Sequence, residues 1–129
     1  MTARDALVQR VREFVAAFNR RDLDAVMTYF ADDAVYDELT GTRHVGKSAV
    51  REAFVPQFRG DYGAIVFDEH DLFFDEAAGK ALVAWICRLE GKRGGWRGLD
   101  VLCFRDGLVV EKQTYTKADA PKIERTNTA

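Results

Sequence analysis

Long apolar runs are missing from this 129-residue chain. The longest, Ala81 to Cys87, falls far short of the ~20 residues a membrane-crossing helix needs. Arg4, Asp5 and Arg10 interrupt the first residues, so no secretory apolar stretch is read there. Cysteine is scarce. Cys87 and Cys103 each sit inside an apolar stretch, which suits buried free thiols in a reducing compartment rather than a disulfide framework. The two histidines, His44 and His70, lie far apart with no acidic or cysteine cluster at ligand spacing, so no metal site is expected. A charge excess of either sign is lacking too. Lysine and arginine total 19 against 21 aspartates and glutamates, a net of −2 that suggests no nucleic-acid partner. H-E-x-x-H, C-x-x-C, G-x-S-x-G and G-x-G-x-x-G are absent, as are repeats and low-complexity segments. These absences leave the expectation of a cytoplasmic protein with no membrane, metal or nucleic-acid role.

What is present suits one globular domain: 47% apolar and 31% charged residues, in a chain long enough for a single core. Up to about residue 59 the rhythm is helical. Leu7, Val11, Phe14, Val15 and Phe18 form a stripe at three- and four-residue steps, with Thr2 and Asp5 as a capping pair. Asp22 caps a short second helix carrying Leu23, Val26, Met27 and Phe30. Ala34 to Glu38 reads as a short strand. Val50, Ala53 and Phe54 mark a third helix that Pro56 should end or kink.

After Gly63 four β-rich runs follow, 64–76, 80–90, 96–105 and 108–117, separated by turns at Gly79, Gly91–Gly95 and Asp106-Gly107. Connections this short join antiparallel neighbours. The expectation is an α+β domain with three N-terminal helices on one face of a mostly antiparallel sheet. It spans residues 1–118, with a polar tail over 119–129 that frays. Leu99, Val101 and Cys103 make the second face of the third run apolar as well, so a second subunit is expected to cover it as a homodimer.

Gly41 to Ser48 matches the phosphate-loop pattern G-x-x-x-x-G-K-S letter for letter. That loop normally follows a buried parallel strand in a fold alternating strands and helices. Here Asp37 and Glu38 precede it, and no helical pattern occurs between Gly63 and Lys117. A strand turn closed by Gly46, with Ser48 near the start of the third helix, is the better reading.

Asp100 is the most informative residue. It shares a strand face with Trp96, Leu102 and Phe104, where a carboxylate must be paired or kept neutral. A three-residue loop at Arg105–Gly107 sets Lys112 opposite it, and a two-residue Asp-Gly turn sets Gln113 there instead. A surface cross-strand pair, worth ~0.2–1 kcal/mol, accounts for Asp100 and Lys112 equally well. Tyr36 and Glu38 share one face at the end of the first strand, where a merely solvated carboxylate is also a sufficient explanation.

Three segments carry a resemblance: Phe18-Asn19-Arg20-Arg21-Asp22-Leu23, Tyr29 to Val35, and Gly46-x-x-x-Val50-Arg51. With Asp100 to Gly107 and Lys112-Gln113-Thr114-Tyr115, they are similar to the SnoaL-like and ketosteroid isomerase-like branch of the nuclear transport factor 2-like superfamily. The resemblance implies a cone-shaped α+β barrel, helices closing a strongly curved sheet over a deep apolar pocket. By similarity to ketosteroid isomerase, Glu38 falls at the proton-shuttling carboxylate and Asp100 at the acid that donates to the developing oxyanion. The oxyanion-donating tyrosine falls on Phe14, which has no hydroxyl, so steroid isomerisation itself is not expected.

Two readings follow. In the first, the chain is a cofactor-independent isomerase, cyclase or hydrolase acting on a ring-bearing or carbonyl compound. Glu38 is its base, Asp100 and Lys112 orient the substrate, and Phe14, Phe18, Tyr36, Phe54, Trp85, Trp96, Leu102, Thr114 and Tyr115 line the pocket. In the second, it is a non-catalytic ligand-binding or dimerisation module with a structural Asp100–Lys112 pair.

Overall fold

The computed structural model describes residues 1–92 and 95–117. Part of the expected 91–95 turn and the tail expected to fray lie outside them. Thr2 starts α1 (Ala3–Asn19) with a reciprocal capping box: its hydroxyl accepts from the Asp5 N–H, and Asp5 accepts from the Thr2 N–H, both at 3.0 Å. The helix turns Val11, Phe14, Ala17 and Phe18 into the core. Arg21, at φ 58°, then reverses the chain, and Asp22 caps α2 (Leu23–Met27) by accepting from Ala25. The first strand, β1 (Phe30–Asp37), is longer than the sequence suggested, and it carries an unforeseen three-residue partner, β2 (Arg43–Val45).

Helix α3 (Lys47–Phe58) follows Gly46, whose φ of 92° excludes most other residues. Pro56 lies in the last turn, so the break it causes comes two residues later than expected. Because Arg43–Val45 pair with β1, the middle of the phosphate-loop look-alike is committed to a β-ladder.

The remaining strands are β3 (Ile65–Asp75), β4 (Lys80–Leu89), β5 (Trp96–Arg105) and β6 (Leu108–Thr116). The sheet order is β2-β1-β6-β5-β4-β3. Consecutive strands from β3 to β6 are antiparallel, but β1 joins β6 in parallel, so the sheet is mixed. β2 and β3 remain edges. The expected cone-shaped barrel is, among the described residues, an open, curled six-stranded sheet carrying three helices.

Neither sequence option for the β5–β6 register holds. The turn is the two-residue form, with Asp106 at φ 53° and Gly107 at φ 77°, and pairs Arg105 with Leu108. An irregularity between Cys103 and Phe104 then adds one residue on β6, which sets Asp100 opposite Thr114 and Leu102 opposite Lys112.

Helix α1 packs against β3 and α3 against β1, so both cover the same sheet face. Phe14, Phe18, Val50 and Phe54 from the helices meet Val83, Trp85 and Leu102 from the strands in one core. Tyr115 stands opposite Leu99 on the other face and is 56% exposed. Its expected place in the pocket is therefore corrected: Thr114 and Tyr115 are adjacent on a strand, and only one of them can face inward.

Candidate functional site

Among the described residues, Lys112 is the one charged residue that is buried. Its position follows from two ladders. Parallel pairing with β1 sets it beside Tyr36, and antiparallel pairing with β5 sets it diagonal to Asp100 on the inner face. Lys112 Nζ donates to Asp100 Oδ1 at 3.0 Å and to Thr114 Oγ1 at 2.8 Å. The Thr114 hydroxyl in turn donates to Asp100 Oδ1, and Trp85 Nε1 donates to Asp100 Oδ2 at 3.0 Å. Three adjacent strands thus converge on one carboxylate.

The three contacts that reach Asp100 all use it as an acceptor. The donor role that the family resemblance assigns to it does not fit this geometry, because Lys112, Thr114 and Trp85 already point hydrogens at its two oxygens.

The ammonium also lies over aromatic rings, with Nζ 4.5 Å from the Tyr36 centroid, 5.6 Å from Phe54 and 5.7 Å from Phe18. Burial alone would push the Lys112 pKa down. Asp100, Tyr36 and Glu38 outweigh that cost and hold it above the usual lysine value. Burial likewise raises the Tyr36 phenol, an effect that Lys112 partly offsets. Lys112 is therefore a cation in a low-dielectric setting.

Glu38 follows β1 at the start of a tight turn, where the Gly41 N–H donates to its carbonyl at 2.8 Å. His44 Nε2 lies 3.0 Å from its Oε2. The His44 ring stacks on Tyr36 (5.7 Å between centroids), and Tyr36 stacks on Phe54 at 4.8 Å. The imidazole is thereby fixed between a strand neighbour and the carboxylate.

A cavity of about 390 Å³ connects these groups. Its wall includes Glu38, Asp100, Lys112 and Thr114 together with Phe14, Phe18, Tyr36, Phe54, Trp85, Trp96 and Leu102. It also includes residues that sequence reasoning missed, among them Leu39, Tyr62, Phe67, Val83 and Cys87. Val83 and Cys87 alternate with Trp85 on β4, so the two-residue period carried that signal. Tyr62 lies in the connection between α3 and β3, where no period operates. Burial pushes the Cys87 thiol up to about 11, so it is a neutral, unreactive wall. Among the described residues, no three His, Cys, Asp or Glu side chains come together as metal ligands, and no helix is long and apolar enough to cross a membrane.

Comparison with known proteins follows the same outline. No curated protein matches the chain. An NTF2-like protein of unknown function from Mesorhizobium loti shares 21% identity at a TM-score of 0.75, covering 92% of this chain and 96% of its own. A candidate ketosteroid isomerase from Kribbella flavida shares 20% identity at a TM-score of 0.73, covering 96% and 92%. A candidate polyketide cyclase from Xanthomonas campestris shares 20% at 0.71, covering 88% and 92%. At these identities the likeness is one of fold. The family model described as SnoaL-like domain matches residues 11–112, most of the chain, and the protein belongs to that family.

Proposed function

We propose that this chain is a cofactor-independent enzyme that moves a proton on a neutral ring-bearing or carbonyl compound, as an isomerase, cyclase or hydrolase would. One observation carries the reading: Glu38 and the buried Lys112–Asp100 pair line the same apolar cavity. Glu38 is the base, oriented by His44. Lys112 has three N–H groups and directs two at Asp100 and Thr114, which leaves one for a ligand oxygen. A cation aimed at a carbonyl stabilises the charge that grows on oxygen when Glu38 removes a neighbouring proton. Asp100 holds the ammonium in place and is a positioning residue.

Exchange of substrate protons for solvent deuterium, followed by NMR over a panel of enolisable cyclic ketones, tests this reading. Wild type is expected to catalyse exchange on at least one ketone, and Glu38→Gln to lose roughly 10²-fold or more of that rate. Full exchange by Glu38→Gln overturns the assignment of the base.

The closed hydrogen-bonding of Asp100 favours a second reading, in which the pair only braces the sheet and the cavity binds without reacting. Ligand binding with no exchange by wild type would decide for it.

The chain is also proposed to work as a cytoplasmic homodimer through its outer sheet face. Phe73, Ile86 and Tyr115 are exposed there, on β3, β4 and β6.

A further inference from the structure

Four residues on the cavity wall are exposed: Leu39, Thr40, Tyr62 and Trp96. Three of them carry large apolar side chains, at 54%, 62% and 41% exposure. They come from three separate places, the turn after β1, the connection from α3 to β3, and the start of β5. A wall residue this exposed stands at the opening. The charged groups show the opposite trend, since the Lys112 and Asp100 side chains are 7% and 14% exposed and that of Glu38 is 32%. The cavity therefore runs from a charged, buried end to an apolar mouth. A site for a small water-soluble metabolite has no need of such a mouth, because a ligand contained in the cavity leaves these side chains facing water.

We infer that Leu39, Tyr62 and Trp96 form a collar that binds an apolar tail, and that the natural ligand is single-headed. Its carbonyl or hydroxyl lies at Lys112, its ring lies beside Glu38, and its hydrocarbon extension emerges through the collar. The inference rests on the reading of Lys112 as the group that meets the ligand oxygen, and it adds the ligand's length and polarity. Tail methylenes that pass between the three side chains leave water together with them, and each is worth about a fourfold gain in affinity.

Calorimetry on the full chain with para-alkylphenols, from methyl to octyl, tests this directly. Wild type is expected to gain about three- to fourfold per methylene. Leu39→Ser/Tyr62→Ser is expected to flatten that slope for the longer members, with a far smaller change for methylphenol. An equal slope in wild type and variant overturns the collar. So does a wild-type slope that stops at the shortest phenols while those still bind, and in that case the pocket reading stands. Failure of every phenol to bind wild type overturns the pocket reading and the collar with it. Both substituted positions are exposed, so a folded variant is expected, and unchanged thermal unfolding verifies it.

Discussion

Trp85 stands opposite Gly98 in the β4–β5 ladder, and the absent side chain at position 98 lets its indole lie across β5 to reach Asp100. A Cβ at Gly98 would overlap the outer edge of that indole and come within 2.6 Å of the Tyr115 carbonyl oxygen. Gly98→Ala is therefore expected to destabilise the protein by about 1–3 kcal/mol and to displace Trp85 from Asp100. Urea unfolding measures the first effect. A change in Trp85 emission, isolated in a Trp96→Phe background, reports the second.

The buried pair makes a sharper case. Lys112→Met leaves the Asp100 charge inside the cavity with two neutral donors, a change expected to cost about 3–5 kcal/mol. Adding Asp100→Asn removes that charge, keeps a carbonyl acceptor for Trp85, and turns an amide N–H toward the Thr114 hydroxyl, which can accept it. The double variant is thus expected to be more stable than Lys112→Met alone, which a denaturation cycle resolves. A double variant less stable than the single one would mean the charge is not the source of the cost.

His44 acts on Glu38 through geometry. His44→Phe keeps a ring against Tyr36 and removes the hydrogen bond to Glu38. Deuterium exchange is expected to drop roughly ten- to a hundredfold, less than for Glu38→Gln, while ligand affinity changes little. Equal losses for the two variants would place His44 in the chemistry itself.

Three buried groups, together with the half-buried Cys103 thiol that burial also raises, lower stability at alkaline pH. Cys87, raised from 9.0 to about 11, keeps its proton in the fold after the unfolded chain has released it. Tyr36 does the same above 10.0 and Lys112 above 10.5. In each window the native state binds more protons than the unfolded state, so stability falls as pH rises. Urea midpoints are expected to decline from about pH 9 upward, and Cys87→Ala to delay the onset. Mass spectrometry after a maleimide pulse at neutral pH should find Cys87 unmodified in the native protein.

The outer sheet face gives a test of assembly. Tyr115→Glu and Phe73→Glu each set a charge on an exposed apolar position. Sedimentation is expected to show a dimer for wild type and a monomer for either variant. A wild-type monomer would remove the proposed partner.

The strands were legible because period two is a local signal: Trp85 with Val83 and Cys87, and Asp100 with Leu102, announce their faces from spacing alone. The capping residues Thr2 and Asp22 were legible for the same reason. Register was not. The single added residue on β6 moves Thr114 opposite Asp100, and nothing in Val109-Val110-Glu111 marks it. β2 was missed because Arg43-His44-Val45 is three residues long and mostly polar, and the contact between His44 and Glu38 was hidden with it. The β1–β6 pairing joins segments far apart in the chain, so local rules say nothing about Tyr36 and Lys112 being neighbours.

That same pairing has a consequence for biosynthesis. A ribosome releases β1 long before β6, so the nascent chain carries a strand whose inner neighbour has not yet been made. Sequence-distant closure of this kind slows folding and prolongs the time during which an unsatisfied strand border can recruit another molecule. β6 completes both the ladder and the ion pair at its centre, so the β1 side of the sheet and its buried charges come together only once that strand has emerged.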